Sequence, residues 1–482
     1  MRIILIKAYY YIHIGSYTMY QIDFKNPVHV FFIGIGGISM SGLAEILLSE
    51  GFKVSGSDRQ QSSLTEDLIR KGASVYYGHK KENLTPCPDL IVYTNGAIKN
   101  DNPELVAGKD LNIPILTRAQ LLGQMMKNYK MPIAISGTHG KTTTTSMLSG
   151  ILLKADTDPT LSIGGIYKEI GGNFRLGSSE YFVTEACEYT NSFLNFSPRI
   201  GIILNIEEDH LDFFKDINDI RNSFHEFAKL LPSANDGGTL IINGDITNVE
   251  EITASLHCQV ITYGSSAFCD YMPTDITFDE FGHPSFILTK SDGTNEGSYS
   301  LSGPGLYNVY NACAAIAVAK FLGINNDIIR MALSDFKGTD RRFEYKGKVN
   351  GFSIIDDYAH HPTEITQTLK AAKNYPHKTI WCVFQPHTYT RTKAFLSEFA
   401  QALTFSDKII LADIYAAREK DTLGISSKTL QAEIEKLGHE CYYFSSFEEI
   451  ENFILKNCTK DDLLITMGAG DVVKIGENLL QK

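Results

Sequence analysis

Strand-like apolar runs alternate with helical periodicity along a 482-residue chain, which predicts an α/β protein with mainly parallel sheets. Two segments sharpen this. VHVFFIGIGG (28–37) and MPIAISGTHGKT (131–142) each run from a buried type of strand through a Gly-rich turn towards a helix. No solenoid-length repeat or low-complexity segment interrupts the pattern. Domains hold roughly 100–200 residues each, so the chain has room for several; its elements divide into three.

The first domain is expected over 19–122. Its opening strand feeds the amphipathic helix SMSGLAEILLSEG (39–51) and a second strand, FKVSGSD (52–58). DLIVYTNGAI (89–98) and IPILTRAQLLGQMM (113–126) continue the alternation. The second domain, 123–338, opens its strand at Met131 and includes YFVTEAC (181–187) and IGIILNI (200–206). The helix NVYNACAAIAVAKFLGI (308–324) closes it. Residues 273–305 alternate with period two and are rich in turn formers, which predicts a small antiparallel excursion. The third domain, 339–482, has FSIIDDYA, TIWCVFQPH, KIILADIYA and DLLITMGAGD as strand-to-turn junctions of a doubly wound sheet.

Composition narrows the function. With 43% hydrophobic and 21% charged residues the chain is an ordinary globular protein. A net charge of −12 argues against nucleic acid and anionic membranes as partners, so cations for any anionic ligand must be gathered locally. The first twenty residues, MRIILIKAYYYIHIGSYTMY, are apolar but carry Arg2, Lys7 and His13. They fall short of the ~18 uninterrupted apolar residues of a membrane span, and no small-residue cleavage site follows them. Ordered patterning begins at Val28, so residues 1–18 read as an extension upstream of a native start at Met19. N-terminal sequencing of the natural protein decides this; a mature start at Met1 overturns it. The eight cysteines form no CxxC pair and read as reduced thiols, which points to the cytoplasm.

Six clusters carry chemistry, and all stand at strand ends, where ligands bind in open α/β sheets. In Gly137-Thr138-His139-Gly140-Lys141-Thr142, backbone amides can cradle phosphates, Lys141 can neutralise them and the Thr142 hydroxyl can hold Mg²⁺. The full phosphate-loop pattern wants Gly where Ile135 stands, so this loop is a shortened variant. Gly34-Ile35-Gly36-Gly37-Ile38-Ser39 places a pyrophosphate at a helix start, with Asp58 at the end of the next strand for a ribose. Thr184-Glu185-Ala186-Cys187-Glu188 and Glu207-Glu208-Asp209-His210 bring carboxylates towards a triphosphate and its metal. Asp356 to Glu364 (DDYAHHPTE) and Phe384 to Thr392 (FQPHTYTRT) deliver acids, histidines and an arginine into turns.

Taken together these motifs resemble the Mur ligase family from Val28 onward. The match runs in order through GIGGISMSGLAE, SGTHGKTTTTSML, TEACEYTNSFLNF, NIEEDHLD, GLYNVYNA, GTDRRFE, DDYAHHPTE, FQPHTYTRT, DIYAARE and MGAGDV. The resemblance implies a Rossmann-like N-terminal domain, a central P-loop ATPase domain and a Rossmann-like C-terminal domain. It implies ATP-driven amide synthesis in peptidoglycan precursor assembly. The lactyl carboxylate of UDP-N-acetylmuramic acid becomes an acyl phosphate, and the amine of L-alanine displaces phosphate. By the same resemblance, Gly36, Gly37, Ser39, Asp58 and His79 meet UDP. Gly137 to Thr143, Asn308, Asn311, Arg342 and Asp357 meet ATP. Thr142, Glu185 and His210 contact Mg²⁺. Tyr358, His360, His387 and Arg391 line the pocket for acyl phosphate and amine, with Arg391 the cation most available to a carboxylate. Lys141, Glu185, His210, Arg342, Asp357, His360 and Arg391 form the catalytic set.

Three departures from the family pattern stand out. Tyr307 replaces a frequent His, and Thr388 stands where some relatives have Arg. The segment IRNSFHEFA (220–228) lacks the modified lysine of ligases that add later amino acids, which fits alanine addition. The rival within the family attaches a preformed murein tripeptide to the same sugar nucleotide. An oxidoreductase built on the first Gly-rich turn leaves GTHGKT idle, and a nucleotide-gated binding protein leaves DDYAHHPTE and FQPHTYTRT inert. ATP contacts drawn from two domains predict domain closure, in a monomer or weak homodimer.

Overall fold

The computed structural model describes residues 11–14, 17–94, 98–417 and 419–482. Most of the expected 1–18 extension, residues 95–97 of DLIVYTNGAI and Arg418 of DIYAARE lie outside the described residues. Tyr11–Ile14 and Tyr17–Tyr20 pair as an antiparallel hairpin. The three larger sheets follow in chain order.

In the first sheet His29–Ile33 is central, with Lys53–Asp58 then Ser74–Tyr77 on one side and Leu90–Tyr93 then Ile115–Thr117 on the other. All pairings are parallel. Val30 to Ile33 are fully buried, as a strand covered on both faces requires. The strand order reverses at His29–Ile33, and a crevice therefore opens at its carboxyl end, at the Gly-rich turn. The helix Arg118–Met126 carries the chain towards the second sheet.

That sheet has ten strands among the described residues. Met131–Ser136 lies between Tyr181–Glu185 and Ile200–Ile203, both parallel to it. Tyr271–Phe278, Pro284–Lys290 and Asn295–Ser300 form the expected antiparallel excursion and extend the same sheet at its edge. The helices Lys141–Lys154 and Leu306–Phe321 pack together, and Ala312 to Ala319 are fully buried. The second ends before the expected residue 324, because Gly323 at φ 73° turns the chain into a further helix, Asn326–Asp335.

The third sheet is doubly wound as expected. Phe352–Asp357, Leu463–Met467, Ile380–Phe384, Lys408–Leu411 and Cys441–Tyr443 are parallel neighbours, with Glu344–Val349 antiparallel at the edge. All eight cysteines are free thiols. No helix among the described residues is long and apolar enough to cross a membrane.

Candidate active site

The turn after Met131–Ser136 depends on two glycines. Gly137 and Gly140 hold φ 142° and 82°. A Cβ on Gly137 would stand 2.9 Å from the Leu204 side chain, and one on Gly140 2.5 Å from Asn311 Oδ1. The helix that follows has no side-chain cap and no acid in its first turn, so its amides are left to an anion. Lys141 folds back over this turn. Its Nζ donates to the carbonyl oxygens of Gly137 and Thr138, and to Glu188 Oε2 at 3.0 Å. Burial alone would lower its pKa, but Glu188, Cys187 and Glu185 hold it above the ordinary lysine value. Sequence places Glu188 only within a strand-end acid cluster; the fold makes it the carboxylate that Lys141 reaches.

The third domain reaches this loop. Arg342 Nη2 lies 3.5 Å from Thr142 Oγ1, and its guanidinium sits 5.0 Å over the Tyr358 ring. Asp357 accepts from the Phe343 and Ala359 amides at 2.8 Å. Burial pushes its carboxyl up to about 6 despite Arg342. A cavity of about 310 Å³ opens between loop and third domain, lined by Gly140, Thr143, Asn308, Asn311, Arg342 and Asp357 among others. Of the residues expected to meet ATP, His139, Gly140, Thr143, Asn308, Asn311, Arg342 and Asp357 line this one cavity, whereas Gly137, Thr138, Lys141 and Thr142 are not part of its lining. Asn308 donates to Pro304 O at 2.8 Å and accepts from Asn311 at 3.3 Å. Tyr307 lines the same cavity, and burial holds its phenol neutral.

A second cavity, about 380 Å³, gathers His210, Tyr358, His360, His387 and Arg391. Burial drives the His360 pKa down to about 3, so the ring is neutral, with Nδ1 3.0 Å from the Tyr358 carbonyl. Burial also lowers the pKa of His210, whose backbone is left-handed at φ 53°. The expectation that Arg391 is the cation most available to a carboxylate is not met. Asp209, unassigned from sequence, takes its guanidinium at 2.9–3.2 Å, and Nη1 lies 3.2 Å from His387. The carboxylate offsets the cost of taking this guanidinium out of water. Glu185 is turned to the neighbouring strand, where its Oε1 accepts from the Gly164 amide at 2.5 Å.

The third cavity, about 530 Å³, lies at the switch point of the first sheet and is lined by all five residues expected there: Gly36, Gly37, Ser39, Asp58 and His79. Asp58 Oδ2 accepts from the Gly36 amide at 2.8 Å. His79 Nδ1 stands 2.9 Å from Ser57 Oγ and 3.0 Å from the fully buried Glu104, an orienting acid that no motif flagged.

His139 of the phosphate loop ties the second domain to the third. Its Nδ1 lies 3.1 Å from Glu364 Oε1 and its Nε2 3.4 Å from Glu207 Oε2. Burial opposes the charge, but Glu364 and Glu207 raise its pKa to about 9. The sign follows from linkage: this tie is fully present below the unfolded value of 6.5 and is lost as pH rises through about 9. Small-angle scattering is therefore expected to show a larger radius of gyration above that pH. His139→Gln is expected to remove the change across this window; a wild-type profile that does not move contradicts the tie.

A parallel sheet with a cavity at its switch point, a Gly-rich loop of phosphate-binding type and a third domain that reaches that loop define a three-domain α/β protein with several cavities at its strand ends. The chain belongs to the Mur ligase family. The family's catalytic-domain model matches residues 29–130, the Mur ligase middle domain 135–319 and the glutamate ligase domain 341–470. The UDP-N-acetylmuramate–L-alanine ligases of Agathobacter rectalis and Lachnospira eligens are each 58% identical over 464 residues, 96% of this chain and 100% of theirs. The crystal structure of the UDP-N-acetylmuramate–alanine ligase of Thermotoga maritima is 28% identical with a TM-score of 0.77, covering 94% of this chain and 98% of its own. A murein peptide ligase from Psychrobacter arcticus is 27% identical with a TM-score of 0.70, over 94% and 98%.

Proposed function

We infer that the chain is an ATP-dependent carbon–nitrogen ligase that joins L-alanine to the lactyl carboxylate of UDP-N-acetylmuramic acid. The carrying observation is the 58% identity, over the whole length of the relatives, to ligases of that name. The arrangement of the cavities supports the chemistry. A carboxylate is a poor acyl donor because oxide is a poor leaving group. Its oxygen attacks the γ-phosphorus, and the bond to ADP breaks. The alanine nitrogen then attacks the acyl carbon, the C–O bond to phosphate breaks, and the nitrogen gives up its protons to solvent. Lys141 and Arg342 offset the charge of the meeting anions at the phosphate loop. Asn308 and Asn311 hold the nucleotide, Asp357 fixes the backbone beside Arg342, and His387 lines the path of the amine together with the neutral His360.

Magnesium fits the donors present. Thr142 and Glu185 offer the oxygen ligands it prefers, and His210 a neutral nitrogen. Two glycines leave space beside two of these donors, since a Cβ on Gly165 would come within 3.1 Å of the Thr142 methyl and one on Gly164 would clash with the Glu185 carboxylate. When bound, the ion would supply positive charge that offsets the triphosphate. We place the protein in the cytoplasm as a monomer or weak homodimer, which sedimentation checks.

The experiment is phosphate release from ATP with Mg²⁺ and UDP-N-acetylmuramic acid, with and without L-alanine. Release is expected to need both, with a new amide by mass spectrometry. Activity confined to the tripeptide would move the assignment to the recycling ligase.

A further inference from the structure

The second domain meets the third at His139, Glu207 and His361. Each offers a ligand atom within 4.8 Å of those of the other two. His139 Nε2 is buried and stands 3.4 Å from Glu207 Oε2, beyond the usual hydrogen-bond range. Two ligands held about 2.0–2.1 Å from a tetrahedral zinc ion stand roughly 3.3 Å apart. This pair therefore already has the spacing of metal ligands. The His361 ring lies against the His139 ring, with 4.6 Å between centroids.

The surroundings orient all three side chains. Glu364 Oε1 holds the other nitrogen of His139, Nδ1, at 3.1 Å, which leaves Nε2 facing Glu207. Thr363 Oγ1 donates to Glu207 Oε2 at 2.6 Å. His361 Nε2 lies 3.0 Å from the Glu208 carbonyl oxygen, and its Nδ1 accepts from the Thr363 amide at 3.3 Å. The longer of these two contacts is the one a metal would replace. Carboxylates, carbonyls and hydroxyls behind the ligands are what fix histidines and acids on a metal ion. The donor set is two imidazoles and a carboxylate. Magnesium asks for oxygen, whereas imidazole suits zinc and cobalt. None of the three residues belongs to the magnesium set of Thr142, Glu185 and His210. We propose that His139, Glu207 and His361 form a site for a zinc-type divalent cation, with water as the fourth ligand, that clips the phosphate loop to the third domain. When it is protonated, His139 gathers Glu207 and Glu364 by its own charge; the metal puts a doubly charged ion in the place of that proton. The site rests on this geometry and is independent of the ligase reading.

Titration of the full chain with Co²⁺, in excess Mg²⁺ and without nucleotide, tests this. A single equivalent is expected to bind with the visible absorption of four-coordinate cobalt, and Zn²⁺ is expected to displace it. Glu364→Gln, which acts on the ion only through His139, is expected to weaken binding by about 10- to 100-fold, the scale of such outer contacts. Glu207→Gln and His361→Gln remove ligands from two different domains, and each is expected to cost more than Glu364→Gln does. Circular dichroism checks that these variants keep their fold. His210→Gln takes a nitrogen from the magnesium set and is expected to leave cobalt binding unchanged. Cobalt binding that follows His210 and ignores His361 overturns the site. So does a thiolate-to-cobalt band in the near ultraviolet, which would place the ion on the cysteines, and so does a wild type that binds no cobalt beside Mg²⁺.

Discussion

Replacing Lys141 by Met is expected to lower kcat by about a thousandfold, the scale on which removal of one preorganised charge acts in a water-poor site. The side chain keeps its length and its apolar stem, so the turn should keep its shape. What is lost is the one ammonium that spans the carbonyl oxygens of Gly137 and Thr138 and reaches Glu188. Before nucleotide binds, those oxygens and the carboxylate are its partners. A triphosphate offers a denser negative charge in the same place, so the ammonium can exchange them for phosphate oxygens. Charge grows on the β–γ bridge as the phosphoryl group transfers, and there a fixed cation gains more than it does in the ground state. The KM for ATP is therefore expected to move less than kcat. Rapid-quench measurement of the first turnover separates the two. Near-normal phosphoryl transfer would mean that Arg342 alone supplies the charge.

The fold was legible because its signals are local. Continuous apolar strands, Gly-rich turns and helical periodicity recur in GIGGIS, GTHGKT and the third domain, and each stands where the pattern places it. The antiparallel excursion announced itself by its period. The end of the helix Leu306–Phe321 did not, since a Gly at φ 73° leaves no mark in periodicity. At the sites, residues within motifs came together in three cavities. What sequence could not give was the pairing between motifs far apart in the chain. Arg391 reads as an available cation until the fold brings Asp209 to it across 182 positions. Arg118 and Glu104 stand in no quoted cluster, and only the packing of the first sheet reveals them beside Ser39 and His79.

That long-range pair carries the second large effect. Asp209→Ala leaves the Arg391 guanidinium buried without its carboxylate, a change that costs about 3–5 kcal/mol when the charge stays buried. The pair joins the loop after the strand Ile200–Ile203 of the second domain to the short helix Tyr389–Ala394 of the third, so the molecule has a cheaper outcome than global unfolding: the two domains part and Arg391 returns to water. The variant is expected to have a larger radius of gyration and little ligase activity, while each domain keeps its secondary structure by circular dichroism. Replacing both residues by Leu removes the stranded charge and is expected to recover compactness without recovering activity. If the double variant stays as open as Asp209→Ala, the pair's attraction matters more than the relief of a buried charge. The pH response separates this tie from His139. Burial opposes ionisation of Asp209, but Arg391 foremost, then His210 and His360, holds its carboxyl well below the ordinary range. A depressed acid contributes above its unfolded value of 3.8 and loses that contribution only as pH falls through the folded value. From pH 5 to 8 the Asp209 tie is therefore constant, so opening on the alkaline side belongs to His139 and opening on the acid side to Asp209. In His139→Gln, scattering across the full range should leave only the acid branch. An alkaline branch that survives in that variant would require a second titrating tie between the domains.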